Sequence, residues 1–251
     1  MSAPGFAGQW PSHVVRIWQR KTESAYPRQV SDLDILDGEI TGCRACPRLV
    51  AWREVVAVER RAAYRDETYW GRPITGFGDP DAWLMVLGLA PAAHGANRTG
   101  RVFTGDRSGD FLFAALHRAG LANQPESASV NDGLRLTGCR VTAAVRCAPP
   151  GNKPTPDERD QCLGFLRREL AACPSVRVIL ALGAFAWDTA LRTLEVPRPW
   201  PRFGHGASAP VDELTLVGSY HPSQQNTFTG RLTPAMLDEV LASLNPGLRR
   251  I

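Results

Sequence analysis

Four short apolar runs, separated by segments of helical character, constrain the fold of this chain more than any other feature. They cover residues 83–89, 140–146, 176–182 and 214–219. Each run is apolar and has the length of a strand. Strands that alternate with helices in this way are typical of a parallel sheet that is covered on both faces. The sequence therefore predicts an α/β fold.

Signals for helix starts lie between these runs. Ser108 is predicted to cap a helix that stops at Gly120. Thr155 and Glu158 form a capping box, with a proline at the first helical position. Thr233 precedes a second proline in the same arrangement. Helices are therefore expected between the first and second strands, between the second and third, and after the fourth.

The chain is long enough for one sizeable core, because it has 251 residues of which 43% are hydrophobic. Residues 1–37 mix tryptophans, prolines and charges without a clean period, and they are interpreted as an N-terminal extension. Residues 38–251 are expected to form a single domain. Within it, residues 43–65 combine apolar residues with six arginines, which predicts a surface helix with a basic face that could meet phosphate.

Composition and charge limit where in the cell the protein is expected and which partners it can bind. The chain has no run of eighteen apolar residues, and its N-terminus has neither a basic start nor an apolar stretch. Neither a membrane span nor a secretory signal is indicated, so a cytoplasmic location is expected. The net charge of +4 is compatible with a nucleic-acid partner, although it does not demonstrate one.

Six cysteines in a cytosolic chain suggest metal binding or catalysis before they suggest disulfides. Sites of four thiolates select iron–sulfur clusters or zinc over hard cations. A zinc ribbon usually pairs two Cys-x2-Cys knuckles, whereas the second pair here is widely spaced, which favours a [4Fe-4S] cluster. The predicted ligands are Cys43, Cys46, Cys147 and Cys162. Cys139 and Cys173 are interpreted as buried structural thiols.

The glycine-rich stretch 88–109 follows the first predicted strand and runs into a helix. It lacks the signatures of a P-loop and of a dinucleotide fold, so a nucleotide cofactor is not supported. A long segment without regular structure in a compact domain is usually functional. In an open α/β sheet, sites gather beyond the carboxyl ends of the strands. Stretch 88–109 and the histidine at position 221 are therefore expected to lie in the functional site.

Several ordered motifs together resemble those of family 5 of the uracil-DNA glycosylase superfamily, across residues 40–243. They are Gly88-Leu89-Ala90-Pro91, Asn97 to Arg101, Phe103 to Asp106, Arg146 to Pro154, and His221-Pro222-Ser223. The resemblance implies a three-layer αβα sandwich around a four-stranded parallel sheet, with a [4Fe-4S] cluster. It also implies a monofunctional hydrolase of DNA repair that removes damaged bases from DNA, expected to act as a monomer.

The resemblance also implies roles for individual residues. A damaged base must be flipped out of the duplex, and Phe103 is the expected stacking platform. His221 is expected to donate to the departing base, whose oxygen gains negative charge. The other residues of the base pocket are predicted to be Gly88, Leu89, Ala90 and Ala143. The residues predicted to contact DNA are Arg98, Arg101, Ser223, Asn226 and Arg231.

The sequence departs from related families at two points. Other families place a water-activating carboxylate in the first motif, where this chain has Leu89 and Ala90. Asp106 is the candidate replacement, with helix capping as its alternative role. Ala143 stands where related enzymes offer an asparagine to the uracil edge. A pocket without that hydrogen bond discriminates poorly, so hypoxanthine and ethenocytosine are expected substrates besides uracil.

A non-catalytic alternative remains open from the sequence. The arginines and Phe103 are also compatible with an iron–sulfur protein that binds damaged or single-stranded DNA without cleaving it. The missing carboxylate at Leu89 and Ala90 is the feature that favours this alternative. Base release, or its absence, distinguishes the two.

Overall fold

A computed structural model describes residues 30–244 of the chain. Most of the predicted extension, residues 1–29, lies outside this part. Residues 32–37, which were assigned to the extension, belong to a helix whose Leu36 is buried. The division into an extension and a domain at residue 37 stays a prediction.

The described part contains one six-stranded sheet, with the strand order β1-β3-β2-β4-β6-β5. The strands are β1 (Phe77–Gly78), β2 (Leu84–Gly88), β3 (Cys139–Ala143), β4 (Val178–Leu182), β5 (Ser208–Val211) and β6 (Leu214–Ser219). The four predicted strands are β2, β3, β4 and β6, and they pair in parallel. The prediction of a four-stranded sheet is wrong, because two antiparallel strands, β1 and β5, are added at the edges. Both are short and partly exposed, so no continuous apolar run marks them.

Helices cover both faces of this sheet. They are α1 (Asp32–Gly42), α2 (Pro47–Glu59), α3 (Ala96–Thr99), α4 (Arg107–Arg118), α5 (Pro156–Ala171), α6 (Ala184–Thr193), α7 (Gln224–Phe228) and α8 (Pro234–Leu244). Short 3-10 turns lie at Ala62–Tyr64 and Pro150–Asn152. The α/β prediction is therefore confirmed. Among the described residues, no helix is both long and apolar enough to cross a membrane.

The side chains of the central strands point alternately into two hydrophobic clusters. Leu84 and Val86 of β2 pack with α4 and α8, whereas Met85 and Leu87 pack with α5 and α6. Every residue of β2 is buried, which explains why the strand is continuously apolar. Complete burial of one such side chain contributes about 1.5–3 kcal/mol to folding.

Local capping explains where helices α4 and α5 begin. The predicted capping box is confirmed at α5, where Thr155 accepts from the Glu158 backbone N–H and the Glu158 side chain accepts from the Thr155 backbone N–H. The prediction for α4 is wrong, because Asp106 rather than Ser108 caps that helix. A carboxylate two residues earlier satisfies the free N–H groups of Ser108 and Gly109.

The basic helix is shorter than its sequence pattern predicts. Helix α2 ends at Glu59 because Arg60 takes a positive φ of 55°. Arg48 of this helix is paired with Glu158, and Arg44, just before the helix, is paired with Glu54. Arg53 is buried. Half of the six arginines of the predicted basic face are therefore neutralised or turned inward, whereas Arg60, Arg61 and Arg65 stay exposed.

Candidate functional site

The parallel strands end at one edge of the sheet, and the loops that follow them meet there. Gly88 closes β2 and pairs in register with Ala143 of β3. At the next strands, the Gly183 backbone N–H donates to the Ser219 carbonyl at 2.8 Å. The stretches that the sequence analysis singled out therefore converge. We call Gly88, Phe103, Asp106 and His221 the base pocket.

Phe103 fits in its place because two of the residues that it contacts are glycines without a side chain. A Cβ atom on Gly88 would lie 2.5 Å from the Phe103 ring, and one on Gly109 would lie 1.8 Å from the Phe103 carbonyl oxygen. Phe103 itself has a φ of 52°, a conformation that bulky residues rarely adopt. Such strain clusters at functional sites. The loop is therefore shaped to hold this one ring in place.

The rings of Phe103 and His221 lie together, as the sequence analysis expects of two site residues. Their centroids are 5.9 Å apart and their planes meet at 29°. His221 is partly exposed to solvent, but densely packed protein surrounds it, and burial lowers its pKa to about 4. The imidazole is therefore neutral at pH 7 and retains one N–H donor.

The turn after β6 is fixed around His221 by short-range hydrogen bonds. The Asn226 side-chain amide donates to the His221 carbonyl at 2.9 Å. Ser223 caps α7, because its hydroxyl accepts from the Asn226 backbone N–H. Ser223 and Asn226 therefore position His221, and the sequence analysis predicted only that they contact DNA.

The two carboxylate oxygens of Asp106 differ in their hydrogen bonding. Its Oδ1 accepts from the backbone N–H groups of Ser108 and Gly109, at 2.9 and 3.0 Å. Its Oδ2 accepts no hydrogen bond from any residue in 30–244, and it lies where a Cβ of Gly95 would stand 2.0 Å away. Burial raises the pKa of this carboxyl, and the two capping bonds partly offset that rise.

The remaining residues predicted for base binding are small and apolar. Ala143 is buried in the core at the end of β3. Leu89 and Ala90 are half-buried after β2, and the Leu89 carbonyl accepts from the Val145 backbone N–H at 3.1 Å. The neighbouring hydroxyl of Thr142 is occupied by Glu169 and Arg146. This wall of the pocket therefore lacks a polar side chain from these positions.

Arg98 and Arg101, predicted to contact DNA, make their bonds inside the protein instead. Arg101 is buried, with its guanidinium against Asp132, Thr104 and Ser127. Arg98 donates to the His94 and Gly105 carbonyls and to Glu67. These bonds favour a role in shaping the loop over a role in phosphate contact. Arg231, in contrast, is exposed, with its guanidinium 4.6 Å from the centre of the Tyr220 ring.

The structure adds an exposed aromatic residue that the sequence analysis missed. Phe228, at the end of α7, is 67% exposed. The Arg107 guanidinium lies 5.2 Å from the centre of its ring, and Arg107 directly follows Asp106. An aromatic residue in a polar run, six residues after the His-Pro pair, was the available signal. Phe228 and Arg107 join the two loops that carry Asp106 and His221.

The four predicted cysteine ligands line one pocket between α2, α5 and the turn after β3. We call it the sulfur pocket; the four residues are Cys43, Cys46, Cys147 and Cys162. None of them forms a disulfide. Among residues 30–244, no three His, Cys, Asp or Glu side chains are grouped closely enough for a single metal ion. The four thiols therefore face one pocket without being spaced as the ligands of one ion.

Burial disfavours the ionised form of three of these thiols and so raises their pKa. It raises the pKa of Cys147 to about 12, although Arg53 counteracts the rise. Burial also raises the pKa of Cys162 and of Cys46. Thiolate ligands in this pocket consequently need positive charge beside them, which a metal group supplies. Cys139 and Cys173 are buried in the core, in agreement with the structural role expected of them.

A buried network of charges connects the two pockets. Glu169 of α5 accepts from Arg140, Arg146 and Thr142, and all four side chains are buried. Thr142 precedes Ala143 of the base-pocket wall, and Arg146 precedes Cys147. Ala90 adds a direct link, because it packs against the apolar cluster that includes Cys147 and Cys162.

Comparison with known proteins assigns the family. A model described as the uracil DNA glycosylase superfamily matches residues 75–245. A type-5 uracil-DNA glycosylase of Mycobacterium tuberculosis is 59% identical over 208 residues, which are 82% of this chain and 78% of that protein. The type-5 uracil-DNA glycosylase of Thermus thermophilus is 54% identical over 203 residues, which are 80% of this chain and 92% of its own. This chain belongs to the uracil-DNA glycosylase superfamily, in its type-5 branch.

Similarity to the type-4 branch is weaker. A type-4 uracil-DNA glycosylase of Archaeoglobus fulgidus is 30% identical over 135 residues, which are 53% of this chain and 58% of that protein. The resemblance inferred from the motifs is therefore confirmed, and so is the prediction of an enzyme of the uracil-DNA glycosylase type. The individual site residues stay predictions.

Proposed function

We propose that this type-5 family member hydrolyses the N-glycosidic bond of uracil in DNA and leaves an abasic site. The observation that carries the proposal is the base pocket itself. The Phe103 ring packs against Gly88 and stands beside a neutral His221, and Asp106 lies three residues further along the same loop. Stacking surface, proton donor and carboxylate are what extraction and release of a base require.

The proposed substrate range extends to hypoxanthine and ethenocytosine. Neither Ala90 nor Ala143 can offer a hydrogen bond from its side chain, and the Thr142 hydroxyl is occupied. A site that reads a base edge by hydrogen bonds rejects analogues strongly, whereas an apolar wall does not. The apolar wall therefore supports a broad range of deaminated or damaged bases.

The chemistry assigned to the pocket divides between two residues. Negative charge develops on the oxygen of the departing base, and the N–H of neutral His221 is proposed to stabilise it. Positive charge develops on the sugar, and Asp106 is proposed to stabilise that charge and to orient the attacking water through Oδ2. Because Oδ1 is held by the helix cap, the carboxylate is fixed in direction.

DNA, the proposed partner, would be met by the exposed groups around the pocket. Arg231 and Arg107 form no salt bridge with the described residues, although the charge of Arg107 acts on Asp110, so both are proposed to contact phosphates. Phe228 provides an exposed aromatic face, and such faces stack on bases without regard to sequence. Ser223 and Asn226 hold the turn that carries His221. Cytoplasmic location and action as a monomer are further parts of the proposal.

A [4Fe-4S] cluster is the proposed cofactor, with Cys43, Cys46, Cys147 and Cys162 as its ligands. The four thiols line one pocket, and the buried Arg53 guanidinium donates to Cys147 Sγ at 2.9 Å, so the donor set fits an anionic thiolate group. When bound, the cluster supplies positive iron that keeps the thiols ionised and cross-links α2, α5 and the turn after β3. Its proposed role is structural.

The deciding experiment is single-turnover base release from duplexes that carry one uracil, hypoxanthine or ethenocytosine, read out by cleavage at the abasic site. His221→Ala is expected to slow uracil release on the order of 100-fold, while the exposed His117→Ala serves as the matched control. Asp106→Asn is the sharper variant, because its side-chain oxygen can still cap α4. A rate near that of the parent for Asp106→Asn would reduce Asp106 to a cap.

The same experiment tests the non-catalytic alternative. If the parent releases no base from any of the three duplexes but binds them tightly, the chain is a DNA-binding protein and Leu89 and Ala90 explain the lost activity. Release of uracil alone would uphold the enzyme and contradict the proposed broad pocket.

A further inference from the structure

Arg53 is a buried cation whose nearest partner is a sulfur atom. It is 2% exposed on α2, in the wall of the sulfur pocket. Its Nη1 lies 2.9 Å from Cys147 Sγ, and its Nη2 donates to the Cys43 carbonyl at 3.1 Å. Its Nε has no hydrogen-bond partner within residues 30–244. A guanidinium withdrawn from water in this way needs an anion nearby.

The other buried arginines of the described chain all have a carboxylate. Arg140 and Arg146 share Glu169, Arg101 has Asp132, and Arg159 has Asp160, each at 2.8 Å or less. Arg53 differs from all four. Its nearest carboxylate oxygen belongs to Glu54, at 3.9 Å.

Glu54 does not neutralise Arg53. Its carboxylate is already bound by both terminal nitrogens of Arg44, and its side chain is 44% exposed to water. An exposed carboxylate at the edge of ion-pair distance, shared with another arginine, contributes little to a buried charge. The charge of Arg53 is therefore left for something inside the sulfur pocket.

A second arginine stands at the pocket, but its charge is compensated. Arg146 also lines the pocket and directly precedes Cys147. Its guanidinium is paired with Glu169, and the Asp37 carboxyl also interacts with the charges of Arg146 and Arg140. Of the two arginines that line the pocket, Arg53 is therefore the one without a close carboxylate.

We infer that Arg53 is the counter-ion of the [4Fe-4S] cluster and sets how readily that cluster accepts an electron. The inference rests on the cofactor assigned under the proposed function. A [4Fe-4S] group with four thiolates carries net negative charge, which grows on reduction. A buried guanidinium that donates to a ligand sulfur stabilises the more negative, reduced form and so raises the reduction potential. Arg53 is a positioning residue and does not touch the DNA.

The test is the reduction potential of the purified, cluster-loaded protein, measured by film voltammetry under anaerobic conditions. Arg53→Met removes the charge while it keeps the length and apolar volume of the side chain. Arg53→Lys keeps the charge without the planar fork of donors. Arg60→Met is the matched control, because Arg60 also extends from α2 but donates only to the exposed Ala57 and Arg65 carbonyls. Iron content and visible absorbance show whether each variant is loaded.

For Arg53→Met we expect at least a tenfold lower ratio of reduced to oxidised cluster at a fixed potential, which is about 59 mV for one electron. Arg53→Lys should lie closer to the parent, and Arg60→Met should match it. Equal potentials for Arg53→Met and the parent would overturn the inference. If Arg53→Met takes up no iron while Arg53→Lys does, the charge is needed for assembly, and the potential of loaded Arg53→Lys decides the inference: a potential below that of the parent supports it, because an ammonium does not reproduce both donor contacts of the guanidinium, and an equal potential overturns it. If Arg53→Met and Arg53→Lys both fold but take up no iron, the shape of the arginine side chain matters rather than its charge, and the inference fails.

These outcomes are separate from those of the proposed function. A parent protein that carries no cluster would refute the cofactor and this inference together. A loaded parent that releases uracil, with an unchanged potential in Arg53→Met, would refute the inference alone.

Discussion

The base pocket and the sulfur pocket lie at the same end of the fold but differ in how complete they are. In the base pocket, protein contacts hold every feature: glycines fit around Phe103, capping bonds fix Asp106, and Asn226 fixes the turn of His221. In the sulfur pocket, burial raises the pKa of the Cys46, Cys147 and Cys162 thiols, and the nearest carboxylate oxygen of the buried Arg53 is 3.9 Å away. The first is built by the chain alone, and the second calls for a bound group.

This difference teaches that the two sites should fail in different ways. Damage to the sulfur pocket should affect folding, because a group that binds only the folded chain adds its binding free energy to stability. Damage to the base pocket should affect chemistry, because its geometry is maintained locally and its strain is tolerated by the surrounding core. The following substitutions sharpen or break this contrast.

The largest expected effect is that of Cys147→Ala. Loss of a ligand should remove the visible absorbance of the cluster and lower the free energy of unfolding by more than about 3 kcal/mol. Cys173→Ala is the matched control, because Cys173 is equally buried but packs in the core beside Leu166 and Val176. It should keep the absorbance and cost roughly 1 kcal/mol. Equal losses in urea unfolding for the two variants would contradict a bound group.

A smaller effect on stability, but a large one on rate, is expected for Gly88→Ala. The new methyl group would overlap the Phe103 ring, whose nearest atom lies 2.5 Å from the Cβ position. Displacement of the ring by about 1 Å should slow base release on the order of 100-fold. The cluster absorbance should not change. Gly164→Ala on α5 is the control, since its Cβ meets nothing within 4 Å. Loss of absorbance in Gly88→Ala would show that the pockets are not independent.

The smallest effect concerns pH. His221 takes up a proton near pH 6.5 when the chain is unfolded, but only near pH 4 when it is folded, because burial lowers its pKa. Between these values the unfolded state binds the extra proton, so stability falls as the pH falls. His221→Gln has no such proton and should lose less stability from pH 7 to pH 4.5, by up to about 3 kcal/mol.

The measurement is urea unfolding of parent and variant at both pH values, with the exposed His117→Gln as the control. A parent and a His221→Gln variant that lose the same stability would mean that the imidazole is accessible to solvent in the folded state. The base pocket would then be less closed than the contacts of His221 indicate.

Sequence reasoning succeeded where the signal is local. The central strands are buried on both faces and so appear as apolar runs, and the capping box at Thr155 is a four-residue pattern. It failed where a partner is distant or the chain is irregular. Asp132, which buries Arg101, is 31 residues away from it, and nothing near Arg101 in the sequence announces that pair. The edge strands β1 and β5 form by pairing with the outer edges of β3 and β6.

The candidate site shows the same limit. The motifs indicated which loops carry the site, but the choice between the two roles of Asp106 depended on which atoms its oxygens reach. No neighbouring residue in the sequence identifies Phe228 as a site residue, because Arg107, whose guanidinium contacts its ring, is more than one hundred residues earlier. Arg53 is similar, because its buried position becomes visible only when Cys147 is brought beside α2.

The wide spacing of the cysteines also means that the ribosome makes them at different times during synthesis of the chain. Chains are made from the N-terminus, and Cys43 and Cys46 leave the ribosome long before Cys162 exists. The thiols of α5 and of the turn after β3 join them only after β2 and β3, two of the four parallel strands, have been made. A group that all four sulfurs hold must therefore be inserted late, into a chain that has already begun to close around its own core.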